Sequence, residues 1–224
     1  MAMLDPDQFQ QRIDDFSHAY TKDFSDFWKW KVNVESNNGY SILDDMHRTE
    51  TCERLCEVLP KWQTYRPKDN IPCLATLRAS LSTIMKAYDQ LRNYSLLQFE
   101  QIPRASLDTI WHELGRAKEV DGQKNDSGSY AIIAVCKPLL FLWGQTLAFD
   151  SNVRKHLPRN YPVNRYSWNW TLDEWMRVMT CLSRDLREDK KAVDFIKQKS
   201  AEWYGKDAPV PYGRLLDIYY FEGS

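Results

Sequence analysis

The sequence predicts an all-α fold, a compact multi-helix domain, and three observations carry that expectation. Apolar residues recur at three- and four-residue spacing along most of the chain, strand-like alternation is nowhere sustained, and polar breaks such as Ser36-Asn37-Asn38-Gly39 separate the periodic stretches. With 224 residues, 43% hydrophobic and 27% charged, the chain is long enough to bury a core without disulfides or metals, and residues 1–224 are expected to form one helical domain.

Taken in order, Asp5-Pro6 opens an expected amphipathic helix of about four turns carrying Phe9, Ile13, Phe16 and Tyr20 on one face. An aromatic-rich stretch follows (Phe24, Phe27, Trp28, Trp30), and then a loop expected near 33–41. Arg48 to Trp62 and Ile71 to Asn93 both read as core helices. Ser106 is expected to cap a helix through Leu114 that Gly115 closes, and the polar stretch from Lys118 to Ser129 is expected to be a surface loop or lid. Tyr130 to Trp143 is the most apolar helix, Asp150 or Ser151 begins another through Leu157, and Thr171 to Arg187 and Ala192 to Tyr204 follow. The apolar run from Pro211 to Phe221 is expected to dock as a final element.

Composition removes several classes of function. A mean hydropathy of −0.61 and the interruption of the longest apolar run by Lys137 and Pro138 exclude a membrane-spanning helix. The first residues carry no basic region followed by an apolar stretch, and the five cysteines form no CxxC pair, so a cytoplasmic protein with reduced thiols is expected. No Gly-rich phosphate loop occurs, and His112-Glu113 lacks the second histidine of a zinc-protease motif. With four scattered histidines, neither a metal site nor a cofactor is expected. Charge is uneven: residues 1–60 hold a net −6 and the remainder +5, a balance that fits a solvated acidic N-terminal helix better than a polyanion-binding face.

One stretch carries chemistry. Lys137 sits in an otherwise apolar helix; a buried ammonium is costly and desolvation favours the amine, the form that attacks a carbonyl or sugar carbon. The plain alternative is a lysine stem packed on the core with its head reaching water or a carboxylate. Asp150-Ser-Asn-Val follows after a turn at Gly144. Residues 151–170 then contain Arg154, Lys155, Arg159 and Arg165 with no acid, interleaved with Tyr161, Tyr166, Trp168 and Trp170. Cations beside rings suit phosphates and unstacked bases, but the same residues suit a protein interface or a buried loop. Arg214 and Asp217, three residues apart in the final apolar run, read as structural, either a local ion pair or a buried clamp onto the Lys137 helix.

The lysine in an apolar helix, the connection and the Asp-x-x-Val together resemble the catalytic stretch of helix-hairpin-helix DNA glycosylases. The resemblance covers about 25 of 224 residues; the Gly-rich hairpin of that family is missing, and the lysine-to-aspartate interval is shorter than usual there. What it implies is an all-helical enzyme that excises bases from DNA. Asp150 would assist base departure and Lys137 attack the sugar, while Arg154, Lys155, Arg159 and Arg165 bind backbone and Tyr166 or Trp168 stacks on a base. The alternative reading of the residues is a non-catalytic module that docks a protein partner on the aromatic segment 161–170.

Overall fold

The computed structural model describes residues 6–16, 18–62, 64, 74–117 and 128–221. These residues form ten α-helices: α1 Pro6–Asp15, α2 His18–Val32, α3 Arg48–Lys61, α4 Leu74–Leu91, α5 Arg104–Arg116, α6 Ile132–Trp143, α7 Ser151–His156, α8 Leu172–Glu188, α9 Lys190–Tyr204 and α10 Tyr212–Phe221. A π-helical turn, Asn33–Asn37, extends α2, and a 3-10 turn, Leu96–Gln101, precedes α5. Two three-residue strands, β1 Ser129–Ala131 and β2 Asn169–Thr171, pair antiparallel with Tyr130 opposite Trp170. The all-α expectation holds, and no helix among the described residues is long and apolar enough to cross a membrane.

Local chemistry accounts for most boundaries. Thr171 caps α8 through Glu174, whose carboxylate in turn accepts the Thr171 backbone N–H at 2.8 Å. Asp189 caps α9, and Asp150 caps α7. Gly144 closes α6 in the left-handed conformation, with a φ of 74° that a side chain rarely adopts. A Cβ there would also press into the Trp28 ring at 2.4 Å.

Three expectations are corrected. The first helix is two: α1 packs on α9 and α10, whereas α2 packs on α6 and α9. The loop expected near 33–41 is helical as far as Asn37. Gly115 lies inside α5 rather than closing it, and a Cβ there would overlap the Tyr130 ring at 2.3 Å; Ser106 is the third residue of that helix, its hydroxyl bonded to Gln90. Of the stretch Lys118 to Ser129, residues 118–127 lie outside the described residues, and Ser129 begins β1.

Nearly every residue of α6 is buried, and the helix runs through the core against α2, α3 and α5. Phe141 stands at its centre, in contact with Phe24, Phe27 and Trp62. Rings of this size each contribute a few kcal/mol, about 1.5–3, when fully buried. The last helix, α10, is buried from Tyr212 to Tyr220.

Candidate functional site

A cavity of about 360 Å³ opens where α6, α7 and α10 meet. Lys137 and Asp150 both line it, together with Phe16, Trp62, Ile133, Ala148, Ser151, Asn152, Trp168, Arg214, Asp217 and Phe221.

The backbone explains how residues so distant in sequence converge. Gly213 brings α10 against the connection between α6 and α7 so closely that a Cβ would meet the Gln145 and Thr146 backbone at 2.3 Å. The Arg214 N–H then donates to the Gly144 carbonyl at 3.2 Å, and the Ala148 N–H donates to Asp217 Oδ1 at 2.7 Å. One residue before the capping aspartate, Phe149 adopts a positive φ of 51°, held by its burial against Trp170 at 5.2 Å between ring centroids. A left-handed non-glycine residue costs of order 1–3 kcal/mol, and here the strained residue aims Asp150.

Lys137 is buried, 6% exposed, and its Nζ donates to the Trp62 carbonyl at the C-terminal end of α3. That carbonyl belongs to a helix end whose last C=O groups lack partners within the helix and carry partial negative charge, so an ammonium is favoured there. The stem is packed in the core, and the head meets a backbone carbonyl. Asp150 Oδ1 accepts the backbone N–H groups of Asn152 and Val153, both at 3.0 Å, which fixes the carboxylate.

Arg214 and Asp217 form a buried ion pair at 2.9 Å from Nη1 to Oδ2. The Arg214 guanidinium lies over the rings of Trp62 (4.7 Å), Phe16 (5.1 Å) and Phe24 (5.4 Å). Burial pushes the Asp217 carboxyl up to about 6; Arg214 pulls it down, Asp150 pushes it further up, and Lys137 again pulls down. The four charged groups thus act on one another across one small space.

The basic segment after Asp150 divides. Lys155 and Arg159 are exposed. Arg165 is half-buried and donates to the Lys155 and Pro158 carbonyls. Arg154, expected to bind backbone, is 1% exposed, donates to the Asp150 and Ser167 carbonyls, and lies 4.7 Å from the Trp168 ring centroid. Its work is to support Trp168, which is itself tied to α6 by its carbonyl accepting the Ile132 N–H at 3.0 Å. Trp168 lies at the cavity and is 59% exposed; Tyr166 is 89% exposed. Tyr161 and Trp170 are core residues.

Arg214 and Asp217 are the site residues that sequence reasoning set aside as structural. The available signal was two opposite charges inside an apolar run, a placement that requires mutual pairing. Phe16 and Trp62 carried no distinguishing signal, since core aromatics are frequent throughout the chain. Among the described residues no three His, Cys, Asp or Glu side chains converge as metal ligands. Comparison with protein-family models, curated proteins and solved structures returned no match, so the chemistry is read from the geometry alone.

Proposed function

We propose that this protein is a DNA base-excision glycosylase and lyase that receives an extruded base in the cavity between α6, α7 and α10. The observation that carries the reading is that Lys137, inside α6, and Asp150, the cap of α7, line the same aromatic-walled cavity. Such an enzyme must take its base out of the helical stack, and a flipped base is held by stacking and by hydrogen bonds to its edge. Phe16, Trp62 and Trp168 supply rings, and Lys137, Asp150, Arg214 and Asp217 supply polar groups.

In the reaction, the bond between C1′ and the base nitrogen breaks, its electron pair leaves with the base, and the base takes up a proton. Positive charge develops on the sugar, and the fixed Asp150 carboxylate stabilises it. Lys137 Nζ leaves the Trp62 carbonyl, gives the departing base the proton it takes up, and bonds C1′ as the amine. Ring opening gives an imine, which water hydrolyses or which eliminates the 3′ phosphate.

The docking-module alternative is weakened by burial of Tyr161 and Trp170, which leaves only Tyr166 and Trp168 of its aromatic surface exposed. Electrophoretic mobility shift at low salt tests the DNA reading. Binding that falls steeply as salt rises is expected, with strand cleavage at an abasic site. Absence of binding at low salt ends the reading.

A further inference from the structure

Residues 1–60 carry six Lys and Arg side chains, and four of them are engaged. Arg12 donates to the Tyr219 carbonyl, and Lys31, Arg48 and Arg54 pair with Glu35, Asp45 and Glu50. The other two, Lys22 and Lys29, are exposed and have no ion pair or hydrogen bond among the described residues. Both line a second groove, of about 550 Å³, where the C-terminal ends of α1 and α9 meet α2. Their spacing of seven residues puts them on one face of α2, about 10 Å apart by the helical rise.

Opposite the two lysines the groove is walled by rings, those of Phe16, Tyr204 and the partly exposed Trp203. Asp26 is the one carboxylate in the lining, which leaves a net single positive charge; Asp23 of the same helix turns instead to Lys61 of α3, at 3.9 Å. Cations that take phosphates beside a ring that stacks on a base are what an unpaired nucleotide requires. The groove also shares Phe16 with the cavity of Lys137 and Asp150. On the reading of that cavity as a base pocket, on which this inference rests, we infer that the groove binds the adjacent nucleotide of the same strand. Its base stacks on Trp203, and the phosphates on either side of it meet Lys22 and Lys29. A neighbour that is already unpaired enters at the least cost, so DNA with two adjacent unpaired nucleotides is the preferred form.

The test is the affinity of the full chain for a duplex with two adjacent bulged thymines, against a duplex with one bulged thymine and a fully paired duplex. The two-thymine bulge is expected to bind roughly tenfold tighter than the single one, the scale of one stacked base. In Trp203→Ala that advantage disappears while affinity for the single bulge stays. Trp203→Leu, which keeps apolar bulk without the stacking face, is expected to behave alike if the alanine variant fails to fold. The surface variant K22Q/K29Q lowers the slope of log affinity against log salt for the two-thymine bulge by about 1.4, the contribution of two single-strand phosphates. Equal or weaker affinity for the two-thymine bulge, an advantage that survives loss of the Trp203 ring, or an unchanged slope in K22Q/K29Q overturns the inference and leaves the glycosylase reading standing. Failure to bind any of the three duplexes overturns both.

Discussion

Asp150 does two jobs that a substitution separates. As the cap of α7 it accepts two backbone N–H groups, and asparagine caps helices about as well as aspartate. Asp150→Asn is therefore expected to melt within a few tenths of a kcal/mol of wild type, whereas Asp150→Ala loses about 1 kcal/mol. In base excision, Asp150→Asn should fall roughly 10²–10³-fold in single-turnover rate, because the amide cannot offset the sugar's positive charge. A variant that is active yet unstable would reverse the assignment and leave Asp150 a cap only. Asp217 gives a pH signature. Its carboxyl, ordinarily near 3.8, titrates at about 6 when folded, chiefly because it is buried. Between about pH 4 and pH 6 the folded state keeps a proton that the unfolded state gives up, so this group lowers stability as pH rises through that window. Chemical denaturation of Asp217→Asn across the same range should lack that component; an unchanged difference between pH 4 and pH 6 would refute it.

At the scale of elements, the site exists because α10 lies directly on the connection between α6 and α7. Gly213→Ala pushes a methyl into the Gln145 and Thr146 backbone, which cannot yield as a side chain does. A loss of about 1–3 kcal/mol is expected by thermal denaturation, the usual cost of overpacking. Activity should fall too, because Arg214 and Asp217 follow α10. Much of this was legible in the sequence: Arg48 to Trp62, Thr171 to Arg187 and Ala192 to Tyr204 announce themselves by apolar pattern, and the Asp150 cap stands before α7. The division of α1 from α2 was not legible, since Phe9, Ile13, Phe16 and Tyr20 keep helical spacing across it and the two helices are set apart by which others they pack against. The functions of Arg154 and Arg165 were hidden for a related reason. An arginine in a basic stretch looks the same in sequence whether it faces a phosphate or binds backbone carbonyls, and the bonds to Ser167 and Pro158 depend on a loop path set by distant contacts.

On the scale of the whole molecule, an acidic stretch over residues 1–60 precedes a more basic remainder, and two exposed cations follow the cavity-lining Asn152, Lys155 inside α7 and Arg159 beyond it. If they touch phosphates, Arg159→Gln weakens binding to every duplex alike and lowers the slope of log affinity against log salt by about one. An unchanged slope would remove Arg159 from the interface. The central claim concerns Lys137, which burial holds on the end of α3 beside the cavity. Its most direct test is borohydride reduction of the protein mixed with abasic-site DNA, followed by peptide mapping of the crosslink by mass spectrometry. The account predicts a covalent adduct on the peptide containing Lys137 that is lost in Lys137→Gln. An adduct on another lysine, or none under conditions where the DNA is bound, would contradict it.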